Sequence, residues 1–178
     1  MSSIRLRRTA NAHSSGSRQL FSFPNPVNEV SARLVAGGVV LMGLTTILFD
    51  LQWLAVVIAL GFIARVLTGP TLSPLGQLVT RVITPRLHVA PKLVAGPPKR
   101  FAQGIGVAFS STAVVLGLGL GEWGAAKVVL GLLVAAALLE SVFALCLGCK
   151  AFALLMRLGV IPEEVCERCN DLWGAARA

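Results

Sequence analysis

The chain has 178 residues, of which 55% are hydrophobic and 13% charged, and its mean hydropathy is +0.78. A soluble domain carries about 25% charged residues, so this composition excludes an ordinary water-soluble enzyme and points to a lipid bilayer as solvent. The formal net charge of +8 would suggest nucleic acid in a soluble protein, but basic loops held on the cytoplasmic side of a membrane explain it more simply.

Residues 1–23 read as a disordered basic arm. Arg5, Arg7 and Arg8 are followed by "TANAHSSGSRQ", which has neither the apolar run nor the small-residue cleavage site of a signal peptide. A membrane domain is expected over residues 24–148. It opens with "FPNPVNEVSARL", where Asn28 is placed to cap a helix that carries Glu29 in its first turn. Leu34–Phe49 is free of charge, and Leu51–Ala64 follows after Asp50 alone. A single rod over this stretch would be about 45 Å long, against a hydrocarbon core of about 30 Å. Two short spans, about 30–49 and 51–67, fit better, with Asp50 capping the second. A re-entrant hairpin is the alternative. Arg33 and Arg65 are expected to snorkel outward from the span ends.

The stretch from Thr68 to Arg100 breaks the hydropathy with six prolines and six basic or His residues. Within it "PLGQLVTRVITPRL" predicts a short amphipathic helix at the membrane surface, with an anionic-lipid or acidic-partner site as the functional alternative. Two further spans are expected at about 101–121 and 125–147, joined by the turn "EWG". Gly117 and Gly121 form a small-x-x-x-small pair near that turn. Fifteen of the sixteen Lys and Arg residues fall in the arm, the central loop, the C-terminal region or the adjoining span ends, and only Lys127 lies near the short turns. Four spans with both termini and the central loop in the cytoplasm satisfy this distribution.

Glu140 is the carboxylate expected deepest in a span, which makes it a candidate functional group. Ser110, Ser111 and Thr112 are expected at similar depth on the neighbouring helix. Their hydroxyls would bond Glu140 and favour its protonated form, either as a proton relay toward nearby thiols or as a structural interhelical bond.

All four cysteines lie in "CLGCKAFALLMRLGVIPEEVCERC", which runs from the end of the membrane domain into a cysteine-containing helical tail expected at residues 149–178. Cys146 and Cys149 share a helix face at the end of the fourth span, within disulfide reach if Gly148 lets the last turn relax. A helix through "KAFALLMRLG" is expected to stop at Gly159, and Pro162 to start another that carries Cys166 and Cys169. In such a hairpin Cys149 and Cys169 stand about 15 and 12 Å from the turn, Cys166 about 7 Å and Cys146 about 20 Å. Only Cys149 and Cys169 come level, so a site holding all four thiolates needs a kink near Gly148. The C-x2-C-x16-C-x2-C spacing fits a zinc or iron–sulfur centre, but the apolar helix around Cys146 does not. Reversible dithiol chemistry needs no such cage. Lys150 and Arg168 would lower thiol pKa values, making Cys149 the nucleophile and Cys146 its resolving partner. Inert buried cysteine is the third possibility. No nucleophile–histidine pairing is visible, since His13 lies in the arm and His88 in the basic loop.

The segments "VNEVSARLVAG", "GPTLSPLG", "GPPKRFAQGIG" and "CLGCKAF…IPEEVCERC" resemble a family of small bacterial four-helix membrane proteins of unknown function. That resemblance implies a membrane component of thiol or sulfur metabolism working with a thioredoxin-like or rhodanese-like partner. The expected fold is therefore an all-α integral membrane protein of four spans, with an interfacial segment and a C-terminal cytoplasmic helical hairpin. Three functions are consistent with it: a thiol–disulfide or sulfur relay, a metal-binding membrane protein, and a proton-coupled transporter using Glu140.

Overall fold

A computed structural model describes residues 26–87 and 92–162 of the chain. The arm, both histidines, Cys166, Cys169 and the helix expected after Pro162 lie outside the described residues. The ordered part opens with a two-residue strand β1 (Val27–Asn28), followed by α1 (Glu29–Leu48) and α2 (Gln52–Thr68). Next come α3 (residues 74–86, with a π-helical centre at Val79–Ile83) and strand β2 (Leu93–Val94). Helix α4 (Gly96–Gly119) turns π-helical over its last five residues, and α5 (Trp123–Phe143) and α6 (Leu147–Arg157) complete the fold.

Helices α1, α4 and α5 are long and apolar enough to cross a membrane. Helix α2 has 17 residues, so its rod is about 25 Å long and slightly shorter than the bilayer core. The four pack in a closed ring in which α1 touches α2 and α5, and α4 touches α2 and α5. Val39, Ile58, Phe62, Ala113, Leu130 and Val134 fill its centre, while Leu41, Leu60, Leu67, Val128 and Leu132 point outward. That much exposed aliphatic surface is what a lipid-facing wall requires. Close approach within the ring depends on small residues: a Cβ on Gly106 of α4 would stand 2.2 Å from the Phe62 ring of α2.

The start of the bundle follows its sequence signals. Asn28 caps α1 by accepting a bond from the Val30 N–H at 3.0 Å. The two strands pair antiparallel, Val27 opposite Val94, and Lys92 forms an ion pair with Glu29 at 2.8 Å. This ties the first helix to the segment that leads into α4. The helix expected in the central loop is α3, capped by Ser73.

Four details differ from the sequence reading. The chain does turn between α1 and α2, but Leu51 is the N-cap of α2, and Asp50 sits in the left-handed region at φ 54°. Its carboxylate reaches instead across the ring, to the Trp123 indole at 2.6 Å and to Lys127. Helix α4 starts five residues before the expected Phe101, because Pro97 and Pro98 occupy its first turn, where a missing N–H costs nothing. Helix α5 ends at Phe143, not Leu147: Ala144 adopts φ 56° and the Leu145 N–H returns to the Leu139 carbonyl at 3.1 Å. Finally, Gly117 and Gly121 do not act as a pair. Gly117 receives the Trp123 ring within its own hairpin, and Gly121 supplies φ +74° at the turn.

A cysteine pair seated on buried charge

The break at Ala144 changes what the first cysteine pair is. Cys146 is not the last turn of a long span but the N-cap of a new helix, with φ −80° and ψ 102°. Its sulfur accepts a bond from the Cys149 N–H at 3.4 Å, and the Cys149 thiol donates to the same sulfur across 2.7 Å. Both cysteines are free thiols, Cys146 buried and Cys149 half-buried. Helix α6 lies across α4 at this point. A Cβ on Gly148 would come within 2.6 Å of the Ala102 backbone, and Phe152 packs on Phe101 with ring centroids 5.6 Å apart. Gly148 therefore seats the pair rather than relaxing it, and the kink lies two residues before Cys146.

These contacts make the two sulfurs unequal. The Cys149 hydrogen bond holds the Cys146 thiol below its ordinary pKa, against burial and the nearby Glu140 carboxylate, with further help from Lys99. Donating that bond pushes the Cys149 thiol up, and burial adds to the effect. The helix N-terminus also favours negative charge at Cys146.

Beneath the pair lies a cluster of charges. Lys99 of α4 donates to Glu140 Oε1 of α5 at 2.6 Å, and little of either side chain reaches the surface. Arg65 of α2 is 6% exposed. Its Nε donates to Gln103 Oε1 at 2.9 Å, its Nη1 to Ser73 Oγ at 3.3 Å, and its guanidinium stacks 4.4 Å from the centre of the Phe62 ring. Two further arginines cap helix ends nearby. Arg33 bonds the Ser141 and Val142 carbonyls of α5, and Arg100 bonds the Val66 carbonyl of α2.

Several expectations are corrected here. Glu140 is partnered by Lys99 and not by hydroxyls: Ser110 Oγ bonds the Gly106 carbonyl of its own helix at 2.7 Å, and Thr112 faces outward. Arg65 and Arg33 are inward-facing and bonded instead of snorkelling. Among the described residues the cation acting on the thiols is Lys99, whereas Lys150 is exposed on α6 and Arg168 lies outside them. Reasoning from hydropathy missed Lys99 because it places charged residues outside spans. The signal was present in "GPPKR": prolines open a helix, so Lys99 belongs to its first turn and shares a face with Gln103, Gly106 and Ser110. Among the described residues no three His, Cys, Asp or Glu side chains are grouped to hold a metal ion. The four-cysteine site expected as an alternative would need Cys166 and Cys169, which lie outside them.

The fold and site thus define a helical protein with spans suited to a membrane and a thiol pair at the start of a short helix laid over the bundle. Residues 27–157 match the family described as a domain of unknown function, DUF4395, and the chain belongs to that family. No curated protein and no solved structure matches the chain.

Proposed function

We propose that the protein is a membrane-embedded thiol–disulfide or sulfur-relay component whose working pair is Cys146 and Cys149. The observation that supports this is the convergence of both thiols on one hydrogen bond at a helix N-terminus. Such an arrangement stabilises a thiolate at the first cysteine and keeps the second as a protonated neighbour. The roles are then the reverse of those suggested by the neighbouring lysine, with Cys146 the nucleophile and Cys149 the resolving thiol. The Cys146 thiolate attacks one sulfur of a disulfide on a soluble thioredoxin-like partner and forms a mixed disulfide. The partner's other sulfur leaves as thiolate and takes a proton. Cys149 then loses its proton and attacks Cys146 Sγ, closing the intramolecular disulfide and releasing the second partner sulfur as a thiol. Two electrons pass from this protein to the partner, and the reverse sequence returns them.

The charge distribution supports four spans with the cysteine end of the ring in the bacterial cytoplasm. The ends of α1, α2 and α4 nearest the thiols carry Arg33, Arg65, Lys99 and Arg100, whereas the opposite turns carry Asp50, Glu122 and a single lysine. Glu140 is bonded to Lys99 rather than standing alone, which supports the relay more than a transporter built on that carboxyl.

The test is acid-quenched alkylation in intact cells, resolved by peptide mass spectrometry. Both Cys146 and Cys149 should label at rest, both should lose label together on mild oxidation, and both should recover with a dithiol reductant. Limiting reagent near neutral pH should reach Cys146 before Cys149. Protection released only by a chelator would replace the relay with a zinc or iron–sulfur site shared with Cys166 and Cys169. A pair that labels identically under oxidant and reductant would end the redox reading.

A further inference from the structure

The charges under the pair do not balance without it. Arg65 and Lys99 bring two buried cations to this cluster, and Glu140 is the carboxylate that acts on both, whereas the buried Glu29 carboxylate is answered by Lys92. Arg65 takes neutral partners, Gln103 and Ser73, so Glu140 answers both cations while bonding only Lys99. Unpaired charge in an apolar interior is expensive. A second negative charge at this end of the ring removes the imbalance, and the buried sulfur adjoining it is Cys146. Gly148 against Ala102 sets the first turn of α6 on the first turns of α4, three residues from Lys99. Glu140 stands six residues before Cys146 on the helix that leads into it.

We propose that Lys99 is the positioning residue that holds Cys146 as a thiolate in the reduced protein, and that Glu140 tempers this effect, so that the ion pair sets how oxidising the dithiol is. The proposal rests on the dithiol reading above and deepens it. The reduced pair carries one negative charge at Cys146 and the disulfide carries none. A cation nearby therefore stabilises the reduced form and makes the disulfide a stronger oxidant, and a carboxylate does the opposite. Among the described residues, the charged side chains acting on Cys146 are Lys99 from α4 and Glu140 from α5. Arg33 of α1 is committed to backbone carbonyls, and Lys150 is exposed.

The experiment equilibrates the full-length protein in detergent with glutathione buffers, in which disulfide plus two glutathione thiols gives dithiol plus oxidised glutathione. Bound and free thiols at Cys146 and Cys149 are then counted by differential alkylation and mass spectrometry. Lys99→Met should shift the constant about tenfold toward the disulfide, roughly 30 mV for two electrons. Lys99→Arg should stay near the parent. Glu140→Gln should shift it the other way, toward the dithiol. If Lys99→Met does not fold, Glu140→Gln and the Lys99→Met/Glu140→Gln double variant give the same answer, because Lys99 keeps the Cys146 thiolate as a counter-charge in the former and the latter removes both partners. The double variant should lie about tenfold nearer the disulfide than Glu140→Gln alone.

A merely structural ion pair predicts that Lys99→Met and Glu140→Gln move the constant in the same direction or not at all, and either result overturns the assignment of Lys99. If the disulfide forms normally but the double variant matches Glu140→Gln, the assignment also fails while the dithiol reading stands. If no Cys146–Cys149 disulfide forms in any buffer, both fail together.

Discussion

Beside the Lys92–Glu29 pair at the strands, a lysine–carboxylate pair lies at each end of the helix ring, and these two are built for different work. At the short turns, Lys127 of α5 meets Asp50, with the Trp123 indole as a second donor. Those side chains remain 34% and 59% exposed. At the thiol end, Lys99 meets Glu140 with 10% and 16% exposed. A wet pair is worth little, because water and salt compete with it. A dry pair is expensive to desolvate and more expensive to break, since removing one partner strands the other. The turn end therefore has a clip that is easily dispensed with, and the thiol end has a commitment that stability alone does not explain. Ion pairs of identical chemistry serve as fastener or as field source according to how much water reaches them.

The largest test of that contrast is stability itself. Lys99→Met should destabilise the bundle by about 3–5 kcal/mol, whereas the double variant Lys99→Met/Glu140→Gln should recover most of the loss. Denaturant unfolding in detergent, followed by helical circular dichroism, measures both. Equal losses in the single and double variants would mean that the pair is not buried as a unit. A smaller effect is expected from Gly148→Ala, which pushes a methyl group into the Ala102 backbone and should cost about 1–3 kcal/mol. Because the same contact seats Cys146, that variant should also slow closure of the Cys146–Cys149 disulfide under a fixed oxidant. Normal closure with lowered stability would separate packing from thiol placement.

The smallest effect belongs to the turn end. Bonds from Lys127 and Trp123 hold the Asp50 carboxyl below its ordinary value of 3.8. A depressed carboxylate contributes above its unfolded pKa and loses that contribution as pH falls through the lower, folded one. Asp50→Asn should therefore melt slightly below the parent at neutral pH, and the two curves should converge in strong acid. A gap that widened on acidification would reverse the sign and refute the assigned bonds.

Local signals predicted the parts of this architecture that depend on local chemistry. Asn28 caps α1, Gly159 follows the end of α6 at φ +73°, and uncharged runs mark the apolar helices. What the sequence concealed depends on contacts between distant segments. Ala144 carries no mark of a helix break, being neither glycine nor proline. The left-handed turn there costs about 1–2 kcal/mol and persists beside the docking of α6 on α4. Arg65 looked like an interfacial residue because Gln103, Ser73 and Phe62 surround it only once the ring has closed. Lys99 was hidden by a habit of counting spans from their first uncharged residue, although the prolines before it announced an earlier start. The second cysteine pair, Cys166 and Cys169, lies outside the described residues, so the spacing that drew attention to all four cysteines bears on the fold only through the first two.

The closed ring also sets an order of events during synthesis. Helix α2 emerges with Arg65 before Gln103, its partner 38 residues downstream, has been made. At about 5–20 residues per second, that interval lasts roughly 2–8 s. Throughout it the nascent first hairpin holds a guanidinium with no Gln103 to receive it and a Phe62 face with no Gly106 to fill. Arg65 can therefore complete its bonds, and Phe62 its packing, only after α4 has been made.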